Sequence, residues 1–251
     1  MLPADTARTW LILSGRLPDG LVLYGGTAIA AHLHHRVSRD LDFFYTDDLD
    51  LAGLRRRLAD LGTFAVTQET ADTLNGVFNA TKVQFLRTVG QLTVEPTIKI
   101  ADIDVAGMRD LAATKLKVVG DRGELRDYFD LMVIDQRTST TVEAALLDYQ
   151  QRYHVDSGDP SIDHIVKALG FFGDVADDPE IPGRRGIEAF WRSRQRRLVA
   201  ALSATGTIQL STTAPVRTAP AAPAGRTPSG QVWVEAHQRD SRRIEGYWRR
   251  R

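Results

Sequence analysis

The stretch between residues 21 and 45 narrows the possible folds more than any other. A four-residue apolar run, Leu21-Val22-Leu23-Tyr24, ends on the pair Gly25-Gly26. Thr27 to His35 is then rich in Ala and Leu, and Asp40 to Tyr45 alternates acidic and apolar residues. A short apolar run stopped by glycines reads as a buried strand, and the alternation reads as a second strand with one wet face. Strand, glycine turn, helix, strand is therefore the opening unit, and the chain must build a sheet around it. Apolar spacing predicts helices over residues 4–16 and 49–61, with strand-like pieces near 63–68, 75–79 and 82–87.

From Gly107 onward the period changes to 3.6. Helices are expected over 108–119, 123–136, 141–152, 161–171 and 186–202. An α/β lobe with a mixed sheet followed by a helical lobe is the architecture this order implies, in the α/β (α+β) class. The divisions fall at 1–106 for the α/β lobe and 107–202 for the helical lobe. Residues 203–231, rich in Pro, Ala and Thr, read as a linker, and 232–251 as a disordered basic tail with Trp233, Tyr247 and Trp248 among six arginines.

Charge is split along the chain although the formal net charge is zero. From Arg184 to Arg251 there are 14 basic and 4 acidic residues, so the body before Arg184 is acidic by the same margin. The absence of cysteine excludes disulfides, thiolate zinc sites and cysteine nucleophiles. The uncharged stretch Gly20 to His35 is too short and too often interrupted to span a membrane, and the N-terminus lacks the apolar core of a signal peptide. A cytoplasmic location and no membrane partner are the expectations. Oligomeric state is not legible.

The chemistry concentrates in the opening unit. Asp40 and Asp42 are two apart on a strand, so both carboxylates project from one face while Leu41 and Phe43 point to the other. Paired carboxylates repel unless a cation lies between them, and hard divalent ions take one or two carboxylates plus substrate phosphates. Glycines where a strand meets a helix let backbone N–H groups face an anion. Phosphate and metal ligands would converge there. His32, His34 and His35 point in different directions on a helix and do not read as a zinc site.

The run Tyr24-Gly25-Gly26-Thr27-Ala28, then His35-Arg36, Ser38 and Asp40-Leu41-Asp42-Phe43-Phe44, resembles the signature of the AbiEii/AbiGii toxin family of nucleotidyltransferases. That family, with its MenT-like members, belongs to the DNA polymerase β-type superfamily. Leu111 to Leu116, Asp121-Arg122-Gly123 and Arg126-Asp127-Tyr128-Phe129-Asp130-Leu131 resemble its helical motifs. His164 to Leu169 with Phe171 to Asp174 resembles a later segment, so the likeness runs from about residue 20 to 200. The resemblance implies a polymerase-β-like fold that moves a nucleotidyl group from a nucleoside triphosphate (NTP) to an acceptor, in several bacterial members the 3′ end of tRNA, which blocks translation. It also implies a cognate antitoxin.

Carried over by position, Gly25, Gly26 and Thr27 would cradle the triphosphate, with Arg36 and Ser38 beside it. Asp40 and Asp42 would hold Mg²⁺ or Mn²⁺, Lys115 would neutralise phosphate charge, and Asp127 would be the acidic residue of the later motif. Read from the residues alone, Lys115 could simply snorkel from its apolar stripe, Arg36 could tie the helix end to Asp40, and Asp130 could anchor Arg122 or Arg126. One departure from the wider superfamily is Gln84, at the position where a third carboxylate is common; Glu95 is the nearby substitute. Arg192, Arg194, Arg196 and Arg197 are candidates for RNA phosphates, with Phe190 and Trp191 either stacking on bases or packing inward. A small hydroxylated acceptor such as an aminoglycoside, or a non-catalytic binding module, are the competing functions.

Overall fold

The computed structural model describes residues 2–181 and 183–204, together with four short strands between 231 and 250. Helix α1 (Ala4–Leu13) precedes strand β1 (Val22–Tyr24), helix α2 (Gly25–Leu33), strand β2 (Leu41–Tyr45) and helix α3 (Leu51–Leu61). Three antiparallel strands follow: β3 (Phe64–Glu69), β4 (Thr73–Phe78) and β5 (Thr81–Arg87). A short hairpin of β6 (Ile98–Ile100) and β7 (Ile103–Val105) closes the α/β part. These strands form one mixed sheet in the order β3-β4-β5-β2-β1-β7-β6, parallel only at β2/β5 and β1/β7.

Local chemistry accounts for most element boundaries. Asp50 caps α3 by accepting from the Gly53 N–H at 2.8 Å. Alternation along β2 buries Leu41, Phe43 and Tyr45 and leaves Asp42 and Phe44 on the other face. The β6/β7 hairpin is absent from the expected elements. Its strands are three residues each, and its turn, Ala101-Asp102, takes positive φ at both positions without the Asn-Gly or Asp-Gly pair that usually marks such a turn.

The helical part comprises α4 (Met108–Asp121), α5 (Leu125–Arg137), α6 (Val142–Tyr153), α7 (Pro160–Leu169) and α8 (Arg184–Ala204). Asp159 caps α7 ahead of Pro160 in its first turn, and Glu124 with Asp127 forms a reciprocal capping box on α5. Helix α4 packs against α2, α5, α6 and α7, so it joins the sheet layer to the helices behind it. One continuous apolar core runs from Trp10 and Leu23 through Leu116 and Tyr128 to Trp191 and Leu198. Trp191 is fully buried and donates its ring N–H to the Tyr128 carbonyl at 2.9 Å, which fixes α8 on α5. The 203–231 linker reading falls almost entirely outside the described residues. Beyond it, β8 (Gln231–Val234) pairs with β11 (Tyr247–Arg250), and β9 (His237–Arg239) with β10 (Arg242–Ile244).

Candidate functional site

A cleft of about 640 Å³ opens between the polar face of the sheet and helices α2, α4 and α5. Its floor comes from β2 and β5, whose parallel register sets Asp42 beside Gln84 and Phe44 beside Leu86. Asp40, just before β2, lies on the same face. Gly25 and Gly26 form the first turn of α2 rather than a separate loop, and neither a side-chain cap nor an acidic residue occupies that helix start.

Both glycines are required by close approach. Gly25 has φ +72°, and a Cβ there would fall 2.3 Å from Asp42 Oδ2. A Cβ on Gly26 would fall 2.2 Å from an Arg36 Nη atom. The glycine pair thus lets an acid and a guanidinium press against the helix N-terminus, whose positive end favours anions. Burial and then the neighbouring Asp40 charge push Asp42 above the usual carboxylate range, while Lys82, Lys115 and Arg122 pull the other way.

Opposite this pair is a closed charge network. Asp130 on α5 is fully buried and accepts from Arg36 through two bonds, at 2.6 and 2.8 Å, and from His35 Nε2 at 2.7 Å. Lys115 on α4 reaches Asp127 at 2.6 Å and Asp130 at 2.8 Å. Burial alone would lower the Lys115 pKa, but the Asp127 and Asp130 carboxylates outweigh it and hold the ammonium above its ordinary value. Burial likewise opposes ionisation of Asp130, yet Lys115, Arg36 and His35 hold it well below the carboxylate range. The second Asp127 oxygen accepts from the Glu124 N–H at 3.1 Å, so one side chain both caps α5 and fixes Lys115.

Gly25, Gly26, Arg36, Ser38, Asp40, Asp42, Lys115 and Asp127 all line the cleft. Thr27 does not. Its side chain is fully buried and donates to the Asp40 carbonyl while hydrogen-bonding the Ser38 hydroxyl at 2.9 Å, so it braces the loop that carries Asp40. Arg36 ties to Asp130, not to Asp40, and Asp130 anchors Arg36 and Lys115, not Arg122 or Arg126. Glu95 is no substitute for Gln84, because it accepts from the Arg109 N–H at 3.0 Å and sits at the start of α4 outside the cleft.

Arg194 is also corrected. It is largely buried and paired with Asp135 at 3.0 Å and with Glu143, which leaves no guanidinium face for RNA. Trp191 is buried in the core, which excludes its stacking on bases. Arg192, Arg196 and Arg197 remain on the exposed side of α8. Beyond the expected site residues, Lys82 lies 3.9 Å from Asp40, and Arg39, Arg122 and Arg126 ring the mouth. Alternation on β5 places Lys82 on the same face as Gln84, so that signal was present in the sequence.

Among the described residues no cluster of three or more His, Cys, Asp or Glu side chains forms a metal cage. Two adjacent carboxylates, one of them destabilised by the other's charge, instead suit a divalent ion that completes its shell with water and substrate phosphate. No helix among the described residues is long and apolar enough to cross a membrane.

The chain is similar to several known proteins. Residues 12–100 match the family model described as the nucleotidyl transferase AbiEii toxin of a Type IV toxin–antitoxin system. An uncharacterized protein of Aquifex aeolicus is 27% identical over 184 residues, covering 72% of this chain and 85% of its own length. A Helicobacter pylori structure assigned as a nucleotidyltransferase superposes with TM-score 0.50 at 14% identity, covering 81% of this chain and 98% of its own. MenT4, a nucleotidyltransferase toxin of Mycobacterium tuberculosis, superposes with TM-score 0.41 at 19% identity over 79% of this chain and 82% of its own. The matched segment, residues 12–100, holds the glycine turn and both cleft aspartates, so the chain is similar there to the AbiEii toxin family of nucleotidyltransferases and shares the fold of the Helicobacter pylori structure.

Proposed function

We propose that the chain transfers a nucleotidyl group from a nucleoside triphosphate to the 3′ end of tRNA in the cytoplasm, so blocking translation until a cognate antitoxin intervenes. The observation that carries this reading is the contact of Asp42 with the Gly25-Gly26 helix start, across the cleft from Lys115. Backbone N–H groups of that turn and the Arg36 guanidinium bind the triphosphate. Lys115 uses two of its three donors on Asp127 and Asp130, which aims the remaining one at a substrate oxygen. A divalent cation, Mg²⁺ or Mn²⁺, held by Asp40 and Asp42 would neutralise phosphate charge and acidify the attacking hydroxyl.

The acceptor hydroxyl loses its proton to solvent and attacks the α-phosphorus in line, the bond to the bridging oxygen breaks, and pyrophosphate leaves with its charge offset by Lys115 and Arg36. Gln84 beside Asp42 supplies an amide, not a third charged ligand, and the reading requires only the two-carboxylate site. Arg192, Arg196 and Arg197 give the acidic body a local basic surface for the polyanionic acceptor.

Incubation of the full chain with each α-³²P-labelled NTP, Mg²⁺ and total tRNA is expected to label the tRNA 3′ end. Label on a small hydroxylated compound instead of tRNA would move the acceptor class, and no label on any acceptor would overturn the reading.

A further inference from the structure

The mouth of the cleft is spanned by an acidic segment that the transfer chemistry does not use. Between α7 and α8 the chain reads Asp177-Asp178-Pro179-Glu180, held from below by buried Val175 and Ile181. Arg184 clamps its base, pairing with Asp177 at 2.8 Å and donating to the Val175 carbonyl at 2.8 Å. From this support Glu180 pairs with Arg39, and Asp178 lies 3.6 Å from Arg126, which also pairs with Glu124 at 2.9 Å. Arg39, Arg126 and Glu180 all line the cleft.

Two guanidiniums at the mouth of a phosphate-binding cleft are thus covered by carboxylates of the same chain. The Arg39–Glu180 pair is weak by construction, and Asp178 is the less exposed of the two acids. Arg39 and Glu180 are each more than half exposed, and such pairs contribute about 0–1 kcal/mol. Arginine binds phosphate through two parallel bonds more strongly than it holds an exposed carboxylate, so a polyphosphate can take both cations. Glu180 would then remain as an uncompensated negative charge facing the incoming anion.

We propose that Asp178 and Glu180 form an internal polyanion that masks Arg39 and Arg126, and that these two arginines are phosphate contacts released when substrate phosphates displace the acidic segment. The inference rests on the transferase reading and adds two binding residues and a self-masking contact to it. The phosphates could belong to the triphosphate or to the acceptor backbone, and the two sources separate experimentally.

Equilibrium binding would be measured on the full chain, on Glu180→Gln and on Asp178→Asn/Glu180→Gln. One arm uses non-hydrolysable analogues of the four nucleoside triphosphates with Mg²⁺, the other a single-stranded RNA with a free 3′ hydroxyl. Unmasking is expected to tighten binding about three- to tenfold at low salt and less at high salt. A gain confined to the first arm assigns the arginines to the triphosphate, and a gain confined to the second assigns them to the acceptor. In an Arg39→Gln background the Glu180→Gln gain should vanish, which a general loss of negative charge would not produce. Equal or weaker binding by variants whose thermal unfolding matches the wild type overturns the inference alone. Binding of neither probe by any of the proteins overturns it together with the transferase reading.

Discussion

Two pairs of aspartates face each other across the cleft, and they are treated in opposite ways. Asp40 and Asp42 sit at the sheet with one distant lysine, Lys82, 3.9 Å from Asp40, and Asp42 is driven toward its neutral form by burial and by its neighbour. Asp127 and Asp130 are saturated: Lys115 touches both, and Arg36 and His35 complete Asp130. Identical side chains therefore do different work. The satisfied pair is architecture, joining α5 to α4 and to the loop before β2. On the proposed reading the unsatisfied pair would hold a cation, and its repulsion would be relieved when substrate and metal arrive.

Asparagine substitutions test this contrast most sharply. Asp42→Asn should cut transfer by roughly three orders of magnitude, about 4 kcal/mol in transition-state stabilisation, while leaving the thermal midpoint of the substrate-free protein unchanged or raised. Removing the buried member of two repelling charges relieves strain in the free protein. Asp130→Asn should do the reverse to stability, lowering it by about 3 kcal/mol in urea unfolding, because Arg36 would stay buried without its counter-charge and Lys115 would keep only Asp127. If Asp42→Asn unfolded the protein and Asp130→Asn did not, the division into site and scaffold would be wrong.

Acid titration sharpens the same comparison more gently. The folded-state pKa of Asp130 is depressed, so its contribution to stability is fully present above the ordinary carboxylate value and is lost as pH falls toward the folded one. The stability gap between wild type and Asp130→Asn should therefore be constant from pH 7 to about 5 and should shrink below about pH 4. A gap that stayed constant down to pH 2 would mean that the Asp130 charge does not carry the network.

How much of this was legible beforehand follows from the range of each interaction. The glycine turn, Asp40 and Asp42 lie within 18 residues of one another, and strand alternation alone put both acids on one face. Lys115 and Asp127 were found by resemblance, since the reason for their pairing, a buried three-way junction with Asp130, joins elements that periodicity cannot bring together. The resemblance set Thr27 with the two glycines on the triphosphate, yet the helix starts at Gly25 and turns Thr27 inward. Arg194 was grouped with its neighbours by charge density. Helical geometry instead points it at Asp135 and Glu143 from two other elements.

That last correction yields the smallest and most specific test, because two faces of one helix now carry different expectations. Arg192, Arg196 and Arg197 are exposed, with Glu188 lying 3.3 Å from Arg192. Changing all three to Gln should leave the urea midpoint within error and should reduce the slope of log affinity against log salt for single-stranded RNA by up to about 2, at roughly 0.7 per phosphate contact. Arg194→Gln should leave that slope unchanged and lower stability by about 1–2 kcal/mol, since Asp135 and Glu143 would lose a shared guanidinium. Arg194 pairs with both acids, and its pKa is raised above the usual arginine value by the Glu143 bond and then, against burial, by Asp135. Should the triple variant bind RNA with the wild-type slope, the acceptor must approach from another side, and the arginines ringing the cleft would be the next basic surface to test.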